Sequence, residues 1–77
     1  PIQYLNRLRI EKCLAPLAAN DSTVLQEAYA VGFRDIAHFN RLFRRFIGMS
    51  PMEFRTRART GKIDRTRYSR FSFRNGK

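Results

Sequence analysis

The chain has 77 residues, 16 of them lysine or arginine against 6 acids, and a net charge of +10; that length makes one small domain, burying about 60% of its unfolded surface. Cys13 is the only cysteine, which excludes an internal disulfide and a cysteine-based metal cluster. One histidine, no carboxylate pair at a usable spacing and no glycine-rich phosphate loop argue against an enzyme and call for no cofactor or metal. From Pro1 to Ala19 the pattern is helical: proline suits a first turn, and Leu5, Leu8, Ile10, Cys13, Leu14 and Leu17 recur at helical intervals. At 100° per residue Leu5 and Leu8 fall on a different side from Ile10, Cys13 and Leu17, so this helix is apolar on two faces. Pro16 inside it removes a backbone donor and clashes with the preceding turn, a cost of about 3 kcal/mol, which predicts a kink or an early end near residues 12 to 15.

Asn20 to Thr23 form a turn, and Thr23 with Gln26 matches a capping box that opens a short helix over about 24–31. Gly32 supplies a left-handed residue to end it. Asp35 is an N-cap for the next helix, 36–47, which Gly48 stops. Ser50, Pro51 and Glu53 give cap, first-turn proline and capping-box acid for a last helix, 51–59. The fold class is therefore all-α.

On the wheel of residues 36–47, Phe39, Leu42, Phe43 and Phe46 share the core side. Ala37, Asn40, Arg41 and Arg44 share the other, with Ile36, His38 and Arg45 on the flanks. Ala28 suits a close crossing of the two short helices, with Phe33 plugging the core beneath the turn. Two short helices at a steep angle with an arginine-bearing outer face make a helix-turn-helix.

Tyr4-Leu5, Ala28, Gly32-Phe33, Phe39, Arg41, Phe43-Arg44, Gly48, Ser50-Pro51 and Phe54-Arg55 together resemble the second half of the AraC/XylS-family DNA-binding region, over residues 1–59. The resemblance implies a small homeodomain-like, AraC-type bundle of about four helices: a linker helix, 1–19, a helix-turn-helix, 24–47, and a terminal helix, 51–59. It also implies a first helix-turn-helix and an effector domain elsewhere in a longer protein, so that one apolar face of the linker helix is exposed in this piece. Three positions depart from the family pattern: Pro16 where leucine is usual, Glu27 where an apolar residue is usual, and His38 where an aromatic is frequent. Glu27 is expected to point to solvent or, alternatively, to meet an arginine.

The major groove of B-DNA admits an α-helix and shows a distinct pattern for each base pair. The expected reader is the helix at 36–47: Arg41 can donate twice to guanine, Asn40 can pair with adenine, and Ile36 and Ala37 can meet a thymine methyl. For His38, a base or phosphate contact and a structural role both stand. Arg34, Arg44 and Arg45 are assigned to phosphate, with backbone amides at the helix starts. Arg55 has an intramolecular role or a DNA contact open to it.

Beyond the last helix, residues 60–77 read as a disordered basic tail. From Arg55 onward nine basic residues face Asp64 alone, while the first 54 residues carry seven against five acids. Most of the charge is therefore not on the helix-turn-helix, which must justify DNA reading by its own geometry. The expected partner is promoter or operator double-stranded DNA, with RNA polymerase as a further contact. The alternatives are a nonspecific RNA- or DNA-binding module led by the tail and a protein-interaction module. No run approaches the roughly 20 apolar residues of a membrane span, and a cytoplasmic, nucleoid-associated bacterial setting is expected.

Overall fold

A computed structural model describes residues 2–63, and every regular element among them is a helix: α1 (Ile2–Lys12), α2 (Leu14–Ala19), α3 (Val24–Ala30), α4 (Ile36–Ile47) and α5 (Pro51–Arg59). The all-α helix-turn-helix plan holds, with the first expected helix divided in two. Pro16 explains the division. It has no amide to offer Lys12 and its ring would strike that carbonyl, so α1 closes with a tight Cys13 N–H bond to Ile10 O at 3.1 Å. The chain restarts at Leu14, which puts Pro16 in the first turn of α2, where backbone amides are orphaned anyway.

The local signals at the other boundaries act as written. Thr23 and Gln26 form the reciprocal capping box of α3, and Gly32 takes φ 103° just beyond that helix, a region that L side chains disfavour. The Asp35 carboxylate accepts from the amides of Ala37 and His38 at the start of α4. Gly48, at φ 95°, ends it. At α5 only half of the box forms: Ser50 Oγ accepts from the Glu53 amide, while the Glu53 side chain turns to Arg57 at 3.2 Å.

One continuous core joins these elements. Ile10, Cys13, Leu14 and Leu17 from α1 and α2 pack with Ala28, Phe33, Phe39, Phe43, Ile47 and Phe54. The rings form a chain, Phe33 to Phe39 at 5.2 Å, Phe39 to Phe43 at 5.7 Å and Phe43 to Phe54 at 5.9 Å, in the tilted or edge-on arrangements that aromatic quadrupoles favour. Fully buried Ala28 accepts the Phe33 amide at 3.0 Å, tying the turn to α3 where the helices cross. Cys13 is a core residue with no exposed surface, and burial, aided by the Glu27 carboxylate, pushes its thiol up to about 12 against the pull of its own backbone hydrogen bond. It is a neutral, inert packing group.

Two expectations change. Glu27 neither points to solvent nor meets an arginine: it is buried and accepts the hydroxyl of Ser22, so a neutral donor in the preceding turn satisfies the carboxylate. The segment assigned to the tail starts as ordered structure. Thr60 and Gly61 close α5, Lys62 N–H bonds to Arg57 O at 2.7 Å, and Ile63 packs against the core. The remaining part of the expected basic tail lies outside the described residues. On α1, Ile2, Tyr4 and Leu5 are exposed while Ile10 is buried, so the helix presents one covered and one open apolar face.

Candidate nucleic-acid interface

The buried side of α4 fixes what its other side presents. With Phe39, Phe43 and Ile47 locked into the core, the 3.6-residue period throws Ala37, Asn40, Arg41, Arg44 and Arg45 outward, and all five are exposed. Arg34 is exposed in the turn just before the Asp35 cap. The side chains of Arg34, Arg41, Arg44 and Arg45 form no hydrogen bond or ion pair with any other described residue. Four unpaired guanidinium groups on one short stretch repel one another, so an anionic surface that neutralises them is favoured electrostatically.

The flanks divide between two neighbours. Ile36, Asn40 and Arg44 line a groove shared with the starts of α3 and α5. His38, Leu42 and Arg45 line a crevice against α1. Ile36 and His38 are half-buried, unlike the other predicted readers. The His38 ring meets Phe33 edge-on at 5.9 Å, so it fills an aromatic place with an aromatic ring. The predicted set is therefore split: Ala37, Asn40, Arg41 and Arg44 run along one open surface, and Ile36, His38 and Arg45 stand at its margins.

Arg55 resolves to the interior. It is 9% exposed, and its Nε donates to Leu17 O at 2.9 Å. Its neighbour one turn on, Arg59, donates to Ala18 O at 3.2 Å and to Asn20 O, and faces Asp21 at 3.7 Å. Both cations sit at the C-terminus of α2, where orphan carbonyls and the negative end of the helix dipole favour positive charge. Sequence reasoning overlooked Leu25 and Met52, which stand 43% and 56% exposed on the walls of the groove beside Asn40 and Arg44. The available signal was positional: each is the second residue of a capped helix, Leu25 after Thr23 and Met52 after Ser50.

Among the described residues no cluster of His, Cys, Asp and Glu could hold a metal ion, and no helix is long and apolar enough to cross a membrane. A family model described as a helix-turn-helix domain matches residues 1–57. The HTH-type transcriptional activator RhaS of Escherichia fergusonii is 47% identical over 55 residues, covering 71% of this chain and 20% of that protein. The MmsAB operon regulatory protein of Pseudomonas aeruginosa is 39% identical over 62 residues, 80% of this chain and 20% of its own length. RhaS of Salmonella arizonae is 46% identical over 55 residues, with the same coverage as its Escherichia counterpart. The chain thus spans about a fifth of the length of the curated relatives it matches. No solved structure matches it.

Proposed function

The chain belongs to the AraC-type helix-turn-helix family of DNA-binding transcription regulators, and from that premise we propose that it binds double-stranded DNA sequence-specifically, with α4 in the major groove. The observation that carries this reading is the exposed row Ala37, Asn40, Arg41 and Arg44 on a helix whose opposite face is fixed in the core. A reader needs side chains that reach base edges from a backbone that does not move, and α4 has both. Arg41 lies at the middle of the row and is the candidate for a bidentate contact to guanine. Asn40 is suited to adenine and Ala37 to a thymine methyl. Ile36 and His38, being half-buried, reach bases only at the edge of the footprint. Arg34, Arg44 and Arg45 neutralise phosphate and so set register without reading sequence.

Binding of selected and scrambled duplexes, measured against salt for the full chain and for a version ending at Ile63, tests this. Ending at Ile63 keeps the turn that closes α5 and removes Arg65, Arg67, Arg70, Arg74 and Lys77. Sequence preference survives in the shorter chain with a shallower salt slope, because each lost phosphate contact lowers the slope by about 0.9. Loss of all preference would instead hand binding to the basic extension. Arg41→Ala costs about 1 to 3 kcal/mol on the preferred site and relaxes selectivity at one base pair. An equal loss on every sequence would make Arg41 a phosphate contact.

A further inference from the structure

Beside the row of readers lies a groove of about 500 Å³ whose walls on α3 and α5 none of the roles above uses. Leu25 from α3 and Met52 from α5 both line it, together with Ile36, Asn40 and Arg44 of α4. Leu25 and Met52 are exposed at 43% and 56% although each is a large apolar side chain. No acid lines this groove, and its single charge is the unpaired guanidinium of Arg44. An apolar-walled groove holding one amide side chain and one free cation matches the edge of a duplex: the cation suits phosphate, the amide suits adenine, and the apolar walls suit the C5-methyl of thymine. We infer that Leu25 and Met52 are specificity-determining residues that read thymine methyl groups flanking the base pair contacted by Asn40, extending the reading surface of α4 onto the starts of α3 and α5.

This inference rests on the DNA-reading role of α4, and its geometry accounts for two features that role leaves unused. Leu25 and Met52 are the second residues of α3 and α5, and both helix starts border this one groove. Arg44 stands in the same groove, so a strand whose phosphate it neutralises brings its base edges alongside the two side chains. A leucine and a methionine cannot tell G·C from A·T by hydrogen bonding. They can do so through the methyl that only thymine carries.

The test uses the full chain and its best duplex from a randomised pool, with each thymine replaced in turn by uracil, which deletes the methyl and leaves all pairing groups intact. At one or two positions next to the adenine read by Asn40, uracil weakens binding about fourfold, the value for one buried methyl-sized group. In Leu25→Ala or Met52→Ala the penalty vanishes at the position that residue covers and persists elsewhere, while Leu25→Met and Met52→Leu retain it. The exposure of both side chains makes these variants fold like the parent, and circular dichroism checks this. Uracil penalties that are absent, or that no variant at 25 or 52 alters, overturn the inference and leave sequence-specific reading intact. A uniform loss on all duplexes overturns it too, by making the two residues sugar-phosphate contacts. A pool that yields no preferred sequence overturns both the inference and the reading beneath it.

Discussion

Two helices of this small bundle carry three arginines each, and they use them in opposite ways. On α5, Arg55 and Arg59 hold the last carbonyls of α2, and Arg57 pairs with Glu53 one turn away. On α4, Arg41, Arg44 and Arg45 reach into solvent with no described partner. The arginine count is the same on both, so the count does not mark the functional helix. What marks it is the partner: internal acceptors absorb the α5 cations into the fold, and their absence leaves the α4 cations available to something outside. The comparison predicts that substitutions on α5 act on stability, that those on the outer face of α4 act on affinity, and that the inner face of α4 sets the upper limit of both.

The largest effect comes from that inner face. Phe43 is fully buried and touches both Phe39 and Phe54 in the ring chain, so Phe43→Ala leaves a cavity costing about 3 to 5 kcal/mol. A domain of this size has little more than that in total, and urea titration followed by circular dichroism finds the variant largely unfolded, with DNA binding lost along with the fold. Next is Arg55→Ala. It removes a charged hydrogen bond at 2.9 Å and opens a buried site, costing about 1.5 to 3 kcal/mol. The buried Arg55 Nη2 has no described hydrogen-bond partner, so part of the desolvation cost is already present in the native protein, and the loss falls toward the lower end. At temperatures where the variant is folded, its affinity for duplex DNA matches that of the parent. A large drop in affinity at unchanged stability would make Arg55 a DNA contact and erase the contrast between the helices.

Which half of this contrast was readable in the chain follows from the range of the interactions. Every boundary of α3, α4 and α5 rests on residues within a few positions of one another: Thr23 with Gln26, Asp35 with the amides of Ala37 and His38, Ser50 with Glu53, and glycines at 32 and 48. The break before Pro16 is local in the same way. The outer face of α4 was equally legible, because the spacing of its phenylalanines fixes which side must be buried. The destiny of Arg55 was not, since its acceptor lies 38 residues earlier in the chain. Glu27 shows a shorter version of the same limit: Ser22 is only five residues away, but whether a turn folds back over a helix depends on packing rather than on spacing. Leu25 and Met52 share a groove only because α3 and α5 are both packed against α4, and no periodicity in either segment records that.

The cap on α4 joins stability to reading, and Asp35 sharpens the comparison more than a charge on either helix. Its carboxylate accepts at 3.0 Å from the Ala37 amide and at 3.3 Å from the His38 amide, satisfying two orphan donors at the positive end of the helix. Asp35→Ala therefore costs about 1 kcal/mol of stability, while Asp35→Asn or Asp35→Ser, which keep an acceptor there, recover most of it. The affinity effect follows a different rule, because those same amides and Ala37 lie at the end of α4 that the proposed docking sends into the major groove. Fraying the first turn disorders Ala37 and the half-buried Ile36 without moving Arg41 or Arg44, which are held by Phe39 and Phe43 below them. The alanine variant then loses preference at the base pairs nearest the start of the helix and keeps it at the guanine assigned to Arg41. Footprinting on single-base operator variants separates this patterned loss from the uniform one that simple destabilisation produces.

The smallest effect belongs to the pair that looks most like a stabilising interaction. Arg57 and Glu53 meet at 3.2 Å, both about half exposed, one turn apart on α5. Water screens such a pair and holding two long side chains together offsets much of the attraction, so Arg57→Ala changes stability by less than about 0.5 kcal/mol. The change shrinks further as salt is raised. This variant removes one positive charge from α5, as Arg44→Ala does from α4, and the two have the same net charge. If bulk charge governed binding, both would weaken it equally. The partner rule predicts that Arg44→Ala lowers the salt slope of DNA binding by about 0.9 and that Arg57→Ala leaves it unchanged, since Arg57 has Glu53 as its partner and the Arg44 side chain has none among the described residues.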